Sequence, residues 1–195
     1  MFAKINGRDF EFTANETILD VARRNDIHIP TLCELHDIDH APGTCRICLV
    51  EVKENEQEEP KYVTACDTAM ADGWKVMTRT PKVQEMRQLQ MEMIMADHHQ
   101  DCASCPRNGN CVLQQLCSRF NVLRPNLTHV AEAIPVKTTN PSLVHDPEKC
   151  VKCGRCIRVC KDVQGIEALG FAGRSTGLKV TTPYEAEFDK TDCVL

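Results

Sequence analysis

Residues 150–160 read Cys150-Val151-Lys152-Cys153-Gly154-Arg155-Cys156-Ile157-Arg158-Val159-Cys160, a run of four cysteines with gaps of two, two and three residues. Three closely spaced thiolates bind three irons of a cubane [4Fe–4S] cluster, and the last cysteine of such a run usually serves a second cluster. Zinc, with four ligand positions, more often uses two separated Cys-x-x-Cys pairs. The spacing therefore favours an iron–sulfur cluster over zinc and indicates a protein that carries electrons.

The composition narrows the class of protein further. Thirteen cysteines are far above ordinary usage, but the number is odd and the first residues show no secretory signal, so disulfides are disfavoured. No apolar run approaches the about 20 residues of a membrane span, and a net charge of −5 disfavours nucleic acid. We expect a soluble, cytoplasmic protein whose clusters supply stability that its few aromatic residues do not.

The N-terminal part has the pattern of a small sheet with one helix. Residues 2–12 alternate apolar and polar around Asn6-Gly7, a strong hairpin signal, and Asn15 is a candidate cap for a helix that ends near Asn25. Further strands are predicted at 47–52, 62–65 and 74–78. A hairpin, a helix and then a cysteine-bearing loop is the opening of a β-grasp ferredoxin. The acidic run 53–60 is a docking surface or, as we favour, a solvated hairpin tip.

The first cysteine group consists of Cys33, Cys45, Cys48 and Cys66, separated by eleven, two and seventeen residues. This spacing is similar to a plant-type [2Fe–2S] site, although the first gap is longer. Gly43 would allow the loop to approach the cluster closely, with backbone N–H groups toward sulfur. A structural zinc site is the alternative, and the β-grasp pattern favours [2Fe–2S].

A second group combines histidine with cysteine in His98-His99-Gln100-Asp101-Cys102-Ala103-Ser104-Cys105, followed by Cys111. One nitrogen and three sulfurs suit zinc and [4Fe–4S] about equally by ligand type, and the neighbouring iron–sulfur groups favour the cluster. An imidazole ligand makes a cluster less negative than a fourth thiolate and should raise its potential. The other histidines are interpreted as ordinary surface or core residues: His28, His36, His40, His129 and His145.

Two helices are predicted around the second group. Thr80 caps the first, with Pro81 at its first position, and its core face is predicted from helical spacing as Val83, Met86, Met93 and Ile94. The second begins near Cys111 and places on one face Leu113, Leu116, Cys117 and Phe120. Residues 121–147 show little periodicity, and an irregular connector is predicted from their prolines: Pro125, Pro135, Pro141 and Pro147.

Taken in order, these groups resemble the N-terminal electron-relay region shared by several oxidoreductases. They are the NAD-linked and electron-bifurcating [FeFe]-hydrogenases, the large iron–sulfur subunit of complex I, the diaphorase subunit of NAD-reducing [NiFe]-hydrogenases, and NAD-dependent formate dehydrogenases. The most specific parts are Gly43-Thr44-Cys45-Arg46-Ile47-Cys48 and the His98-to-Cys111 spacing followed by Val112-Leu113-Gln114. The resemblance covers nearly the whole chain.

The resemblance implies an α+β fold of three domains. These are a β-grasp [2Fe–2S] ferredoxin domain at 1–79, a small helical [4Fe–4S] domain with one histidine and three cysteine ligands and its connector at 80–140, and a ferredoxin-type [4Fe–4S] domain at 141–195 that is incomplete at its C-terminus. Family spacing selects His98 over His99 as a ligand. The implied ligand sets are Cys33, Cys45, Cys48 and Cys66 for [2Fe–2S]; His98, Cys102, Cys105 and Cys111 for one [4Fe–4S]; and Cys150, Cys153 and Cys156 for another.

The chain departs from these families at several points. Cys117 matches no family ligand, so we interpret it as a buried structural thiol, and Lys161 stands where the bacterial run has proline. Cys160 and Cys193 would be half of a further [4Fe–4S] cluster whose other ligands are missing, and the cluster at Cys150–Cys156 lacks its fourth ligand. We favour a truncated chain; the alternative is that Cys160 or Cys193 completes that cluster.

The expected function is that of an electron-transfer subunit or fragment without an active site of its own. The resemblance implies a flavin- and NAD(P)-binding partner subunit, a thioredoxin-like [2Fe–2S] subunit, soluble ferredoxin as a further partner, and a catalytic centre elsewhere. We expect a hydrogenase or electron-bifurcating complex first, formate dehydrogenase next and complex I last. A zinc-stabilised scaffold and a redox sensor are the rival hypotheses.

Overall fold

The computed structural model of the chain describes residues 1–36, 38, 43–123, 127, 136–140, 142–174 and 177–194. These residues pack into two compact units. Unit 1 comprises Met1–Glu34, Asp39–Met91 and Val112–Leu123. Unit 2 comprises Leu35–Ile38, Glu92–Cys111 and Arg124–Leu195. Five residues discussed above lie outside the described residues: His40, Pro125, His129, Pro135 and Pro141.

Unit 1 is built on a five-stranded mixed sheet with the strand order β2-β1-β5-β3-β4. The strands are β1 (Phe2–Ile5), β2 (Arg8–Glu11), β3 (Leu49–Lys53), β4 (Lys61–Thr64) and β5 (Lys75–Met77). Strand β1 is parallel to β5, whereas the β1–β2, β3–β4 and β3–β5 pairs are antiparallel. The predicted strands therefore form within one or two residues of their expected bounds.

The first hairpin turns at Asn6-Gly7, as predicted. Both residues have positive φ, 52° at Asn6 and 84° at Gly7, which is what a tight two-residue hairpin turn requires. At the acidic tip of the β3–β4 hairpin, Glu54 and Glu56 pair with Lys61 and Lys75 and all four side chains are exposed to solvent. These pairings support the interpretation of the run as a solvated hairpin tip.

Helix α1 (Ile18–Arg24) packs on the sheet, and its cap corrects the sequence-based expectation. Thr17, not Asn15, is the N-cap: the Asp20 N–H donates to Thr17 Oγ1 at 3.1 Å, and the Thr17 N–H donates to Asp20 Oδ2 at 3.0 Å. Asn15 instead has a left-handed backbone with φ 72° in the preceding turn. The reciprocal pair satisfies two backbone donors that Asn15 alone would not.

The hydrophobic core of unit 1 lies between the sheet and α1. Ile5, Val50, Val52 and Val76 point inward from three neighbouring strands and are fully buried. Ile18 and Val21 of α1 join them. The period of two in the strands and the helical spacing in α1 thus place one continuous apolar interface beneath the loops that carry the first cysteine group.

Helix α2 (Pro81–Ala96) begins as predicted, with the Val83 N–H donating to Thr80 Oγ1 at 3.3 Å. Its buried face, however, is a row at four-residue spacing: Val83, Arg87, Met91 and Met95. The prediction that Met93 belongs to the core is wrong, since its side chain is 43% exposed. Arg87 lies in the middle of this row, so the buried face does not have a continuous apolar pattern in the sequence.

Helix α3 (Val112–Arg119) follows Cys111 and presents its apolar side inward. Leu113, Leu116, Cys117 and Phe120 are buried, in agreement with the sequence pattern. No helix in the described part of the chain is both long enough and apolar enough to cross a membrane.

Unit 2 has little regular structure. Its hairpins are formed by β6 (Lys137–Asn140) with β7 (Leu143–His145) and by β8 (Gly170–Ala172) with β9 (Lys179–Thr181). A short helix α4 (Arg155–Arg158) runs on into a π-helical turn at Val159–Val163. The prediction of an irregular connector is therefore wrong over 137–145. Strand β6 has few apolar residues, so the polar run Lys-Thr-Thr-Asn gave no hairpin signal.

Candidate metal centres

The first cysteine group converges at one end of the β3–β4 hairpin in unit 1. Cys48 directly precedes β3, and Cys66 lies two residues beyond β4, whose Thr64 is paired with Leu49. The antiparallel register therefore brings the two cysteines together, with their sulfur atoms 3.4 Å apart. Cys33 and Cys45 meet on the adjoining loops, where the Cys45 N–H donates to Cys33 Sγ at 3.4 Å. All four side chains are buried.

Hydrogen bonds among these four cysteines shift their pKa values in opposite directions. Bonds from the Cys45 and Cys66 thiols lower the pKa of Cys33 to about 2, and a bond from Cys66 also lowers the pKa of Cys48. The pKa values of Cys45 and Cys66 are correspondingly raised by donation to these acceptors. The sulfurs thus face one another, an arrangement that suits thiolates gathered around a shared metal cluster.

Backbone N–H groups surround these sulfurs. Thr44 and Cys45 donate to Cys33, and Ile47 and Leu32 to Cys45. Ala65 and Gly43 donate to the two cysteines of the hairpin, Cys48 and Cys66 respectively. Amide donors of this kind stabilise thiolate ligands and set the potential of a cluster. The buried, amide-lined group of sulfurs therefore fits a [2Fe–2S] centre.

Gly43 occupies a position that no other residue fits well. Its φ is 51°, and a Cβ atom built on it would lie 2.3 Å from Oδ2 of Asp67. Oδ1 of the same carboxylate accepts a hydrogen bond from Thr64 Oγ1, at the end of β4. The loop before Cys45 therefore passes directly against Asp67, the residue that follows Cys66.

Arg87 is a residue of this region that the sequence did not reveal. Its side chain is 1% exposed, and Nε and Nη2 both donate to the Leu49 carbonyl oxygen, at 3.0 and 2.5 Å. Burial lowers the pKa of Arg87 to about 10, which leaves the guanidinium charged at neutral pH. The signal in the sequence is its four-residue spacing from Val83 and Met91, but a buried arginine is rare.

In the histidine–cysteine group of unit 2, His98 and His99 have different surroundings. Nδ1 of His98 is buried without a hydrogen-bond partner, whereas His99 is half-exposed with its Nδ1 3.7 Å from Glu148 Oε2. Burial is the main cause that lowers the pKa of His98, and the neutral imidazole is the form that binds metal. A buried nitrogen without a partner fits a ligand position at His98.

Cys102 and Cys105 lie in consecutive turns beyond α2, and Cys111 directly precedes α3. The Cys105 N–H donates to the Cys102 carbonyl at 3.3 Å, and the Asn108 N–H donates to the Cys105 carbonyl at 2.9 Å. Cys102, Cys105 and Cys111 are all half-buried. The residue types of this group suit [4Fe–4S] or zinc equally.

The C-terminal cysteine run also lies in unit 2. Cys150 and Cys153 are close enough to Cys156 for their charges to act on it, although burial is the first cause of its raised pKa. The Lys152 N–H donates to Cys150 Sγ at 3.3 Å, and Lys152 Nζ pairs with Asp97 at the end of α2. This trio of cysteines, on a loop tied to Asp97 within unit 2, suits part of a [4Fe–4S] site.

Cys160 and Cys193 are placed differently. Cys160 Sγ accepts a hydrogen bond from the Ala168 N–H at 3.2 Å, and the Cys193 N–H donates to Thr191 Oγ1 at 3.4 Å. In the described residues, no hydrogen bond joins either one to the trio. Among all the residues that the structure describes, no three His, Cys, Asp or Glu side chains are arranged to hold a single metal ion.

Comparison with protein families assigns the chain to a class. Residues 3–81 match the 2Fe-2S iron-sulfur cluster binding domain. Residues 87–125 match the NADH-ubiquinone oxidoreductase-G iron-sulfur binding region, and residues 140–192 match the ferredoxin-like domain of NADH-quinone oxidoreductase subunit 3. The chain therefore contains one [2Fe–2S]-binding domain and [4Fe–4S]-binding regions. The fold class and cofactors predicted from the sequence are confirmed.

Curated relatives agree with this class. The chain is 32% identical over 188 residues to NADPH-Fe(3+) oxidoreductase subunit alpha of Geobacter sulfurreducens, a match of 94% of this chain and 22% of the relative. It is 31% identical over 193 residues to NADP-reducing hydrogenase subunit HndD of Solidesulfovibrio fructosivorans, 97% of this chain and 32% of the relative. An NADH-quinone oxidoreductase subunit of Rhizobium meliloti is 31% identical over 179 residues, 91% of this chain and 20% of the relative.

The chain thus spans between a fifth and a third of the length of these relatives. Among solved structures, the NAD+-reducing [NiFe]-hydrogenase in the H2-reduced state superposes with a TM-score of 0.85 at 23% identity. The superposition covers 98% of this chain and 79% of that chain, and it shows that the fold is shared. The resemblance drawn from the cysteine spacing is confirmed.

Proposed function

We propose that this chain is the electron-relay region of a multi-subunit NAD(P)-linked oxidoreductase of the hydrogenase or electron-bifurcating type. In this role it conducts single electrons between a flavin-bearing partner subunit and a catalytic centre located elsewhere. The observation that carries the proposal is the first cysteine group, whose four buried sulfurs face one another at the end of the β3–β4 hairpin and receive amide hydrogen bonds. Iron–sulfur clusters supply reversible one-electron chemistry when bound.

Three ligand sets are proposed, as the residue spacing indicated. The first cysteine group would hold [2Fe–2S], the histidine–cysteine group would hold one [4Fe–4S], and Cys150, Cys153 and Cys156 would hold part of another. The unpartnered Nδ1 of His98 supports its choice over His99. Cys160 or Cys193 would complete the last cluster or serve a further one.

The protein's own residues would bind and insulate these groups. Burial of the first cysteine group excludes water, which lowers the local dielectric constant and makes nearby charges and dipoles more effective. The amides of Thr44, Cys45 and Gly43 would stabilise the ligating thiolates. In unit 2 the Lys152–Asp97 ion pair would fix the loop between Cys150 and Cys153.

The proposed partners follow from the class of relatives, which are named as subunits of NAD(P)-linked enzymes. We include a flavin- and NAD(P)-binding subunit and a thioredoxin-like [2Fe–2S] subunit, with soluble ferredoxin as a further electron carrier. The same relay in a formate dehydrogenase or a complex I-type enzyme is the alternative. A cytoplasmic location is part of the proposal.

The test is low-temperature EPR of the anaerobically purified, dithionite-reduced chain, with iron, acid-labile sulfide and zinc counted on the same sample. The expected result is a [2Fe–2S] signal that persists at higher temperature beside faster-relaxing [4Fe–4S] signals. Zinc at stoichiometry without sulfide would overturn the relay and favour a zinc-stabilised scaffold.

A matched pair of variants assigns the first site. Cys66 and Cys117 are equally buried, each 7% exposed, but only Cys66 belongs to a cysteine group. Cys66→Ala is expected to abolish the [2Fe–2S] signal while the [4Fe–4S] signals remain, and Cys117→Ala is expected to retain all of them. Loss of the [2Fe–2S] signal in both variants would mean that a general defect of folding, and not ligation, explains the result.

A further inference from the structure

We propose that Arg87 is the buried counter-charge of the [2Fe–2S] centre and that it raises the reduction potential of this centre. The inference rests on the proposed function, because it requires a cluster at the first cysteine group. In this proposal the side chain of Arg87 is not a ligand of the cluster. Its positive charge would act on the cluster through space.

The placement of Arg87 is the first argument. It lies in the middle of the buried face of α2, four residues from Val83 and from Met91. Both of its hydrogen bonds end on the carbonyl oxygen of Leu49, the residue directly after Cys48. These bonds fix the guanidinium beside the chain that carries a predicted ligand, and all of these residues belong to unit 1.

The balance of charge is the second argument. Arg87 forms no ion pair with an Asp or Glu among the residues that the structure describes, although its side chain is 1% exposed. A buried cation without an anion is strongly unfavourable. Burial lowers the pKa of Arg87, as do Arg119 and Arg79, whereas the Cys48 thiolate raises it. A negative centre at the first cysteine group would supply the missing compensation.

The chemistry of the centre gives the direction of the effect. Two ferric ions, two sulfides and four thiolates make a dianion, and uptake of one electron makes a trianion. A fixed positive charge nearby stabilises the trianion more than the dianion, and the low dielectric constant of a buried site strengthens this preference. Arg87 should therefore favour the reduced centre, which raises the potential.

A purely structural role makes different predictions. If Arg87 only ties α2 to β3, a substitution would change stability and cluster retention but not the potential of the cluster that remains. Arg87→Lys keeps the charge and loses the two-pronged geometry, whereas Arg87→Gln keeps hydrogen-bonding capacity and loses the charge. The two variants therefore separate charge from hydrogen bonding.

The experiment is an EPR-monitored redox titration of the [2Fe–2S] signal, with dithionite as the reductant. For R87Q, the ratio of reduced to oxidised centre at a fixed potential should fall at least tenfold, which corresponds to 59 mV for a one-electron couple. R87K should stay within about threefold of the wild type. Arg79→Gln is the matched control, since it removes the same charge from an exposed arginine. Its effect should be within about threefold and should disappear at about 1 M KCl.

Each outcome decides the question. An unchanged ratio in R87Q, or an equal fall in R87Q and R87K, overturns the inference. If R87Q does not retain the cluster, Arg87→Met replaces it as the uncharged variant. If both lose it, the wild type is titrated at about 0.1 and about 1 M KCl. If the ratio of reduced to oxidised centre changes tenfold between the two salt concentrations, exposed cations set the potential and the inference is overturned. A constant ratio would uphold the inference. Absence of a [2Fe–2S] signal in the wild type would refute the proposed function itself.

Discussion

Replacing Gly43 by alanine is expected to weaken the [2Fe–2S]-binding loop more than the same change at Gly73. Both glycines have a left-handed backbone, with φ 51° and 77°. An alanine in this conformation costs roughly 1–2 kcal/mol. The surroundings differ: nothing lies within 4 Å of a Cβ at position 73, whereas a Cβ at position 43 would lie 2.3 Å from Asp67 Oδ2.

The additional loss of stability at position 43 depends on the hydrogen bond that Asp67 loses when it moves. Its carboxylate can turn away from a new Cβ, but Oδ1 then loses the hydrogen bond from Thr64 Oγ1. A hydrogen bond of this kind contributes about 1 kcal/mol net. We therefore expect a total loss of roughly 2–3 kcal/mol for G43A against roughly 1–2 kcal/mol for G73A.

Because loss of a cluster is irreversible, the assay is a rate: bleaching of the visible circular dichroism of the [2Fe–2S] centre at a fixed urea concentration. A difference of about 1 kcal/mol in activation free energy is about fivefold in rate, so G43A should bleach about fivefold faster than G73A. In an Asp67→Ala background the same Gly43→Ala change should be no worse than G73A, since the obstructing carboxylate is gone. Equal rates for G43A and G73A, or no relief from D67A, would refute the steric argument.

Two further predictions concern histidines. His98→Cys should retain the [4Fe–4S] cluster but lower its reduced-to-oxidised ratio at fixed potential by about tenfold or more, because a thiolate adds negative charge. His99→Ala should leave this ratio unchanged. A redox titration followed by EPR measures the ratio in both variants. Burial and the charges of Arg119 and Arg79 lower the pKa of His28. The unfolded chain therefore binds a proton at His28 more readily than the folded chain, so the free energy of unfolding should fall as the pH drops below about 6.5. H28Q should reduce the resulting fall in apparent Tm between about pH 8 and about pH 5.5.

The structure was predicted most accurately at positions where a residue type has a single structural role. Asn6-Gly7 defined the first hairpin, and the spacing of Cys45 and Cys48 from Cys66 indicated a site that the β3–β4 register does bring together. The prediction was less accurate where several residues suit the same role. Asn15 and Thr17 are both good helix caps, and only the reciprocal bond with Asp20 selects Thr17.

Arg87 could not be predicted for a different reason. Charged residues are normally expected at the surface, and the helical spacing of Val83, Met86, Met93 and Ile94 indicates a face that includes the exposed Met93. The structure keeps the arginine inside because the Leu49 carbonyl accepts two of its donors. A hydrogen bond between residues that are far apart in the sequence leaves no trace in helical periodicity.

The two units depend on their metal centres to different degrees. The first cysteine group lies against the core of unit 1, which joins Ile5, Val50 and Val76 with the buried face of α1. In the described residues of unit 2, the buried hydrophobic side chains are few: Met95, Ala168, Val180 and Phe188. So small an apolar core offsets little of the conformational entropy lost on folding. We therefore expect metal–thiolate bonds to supply a larger share of the stability of unit 2 than of unit 1.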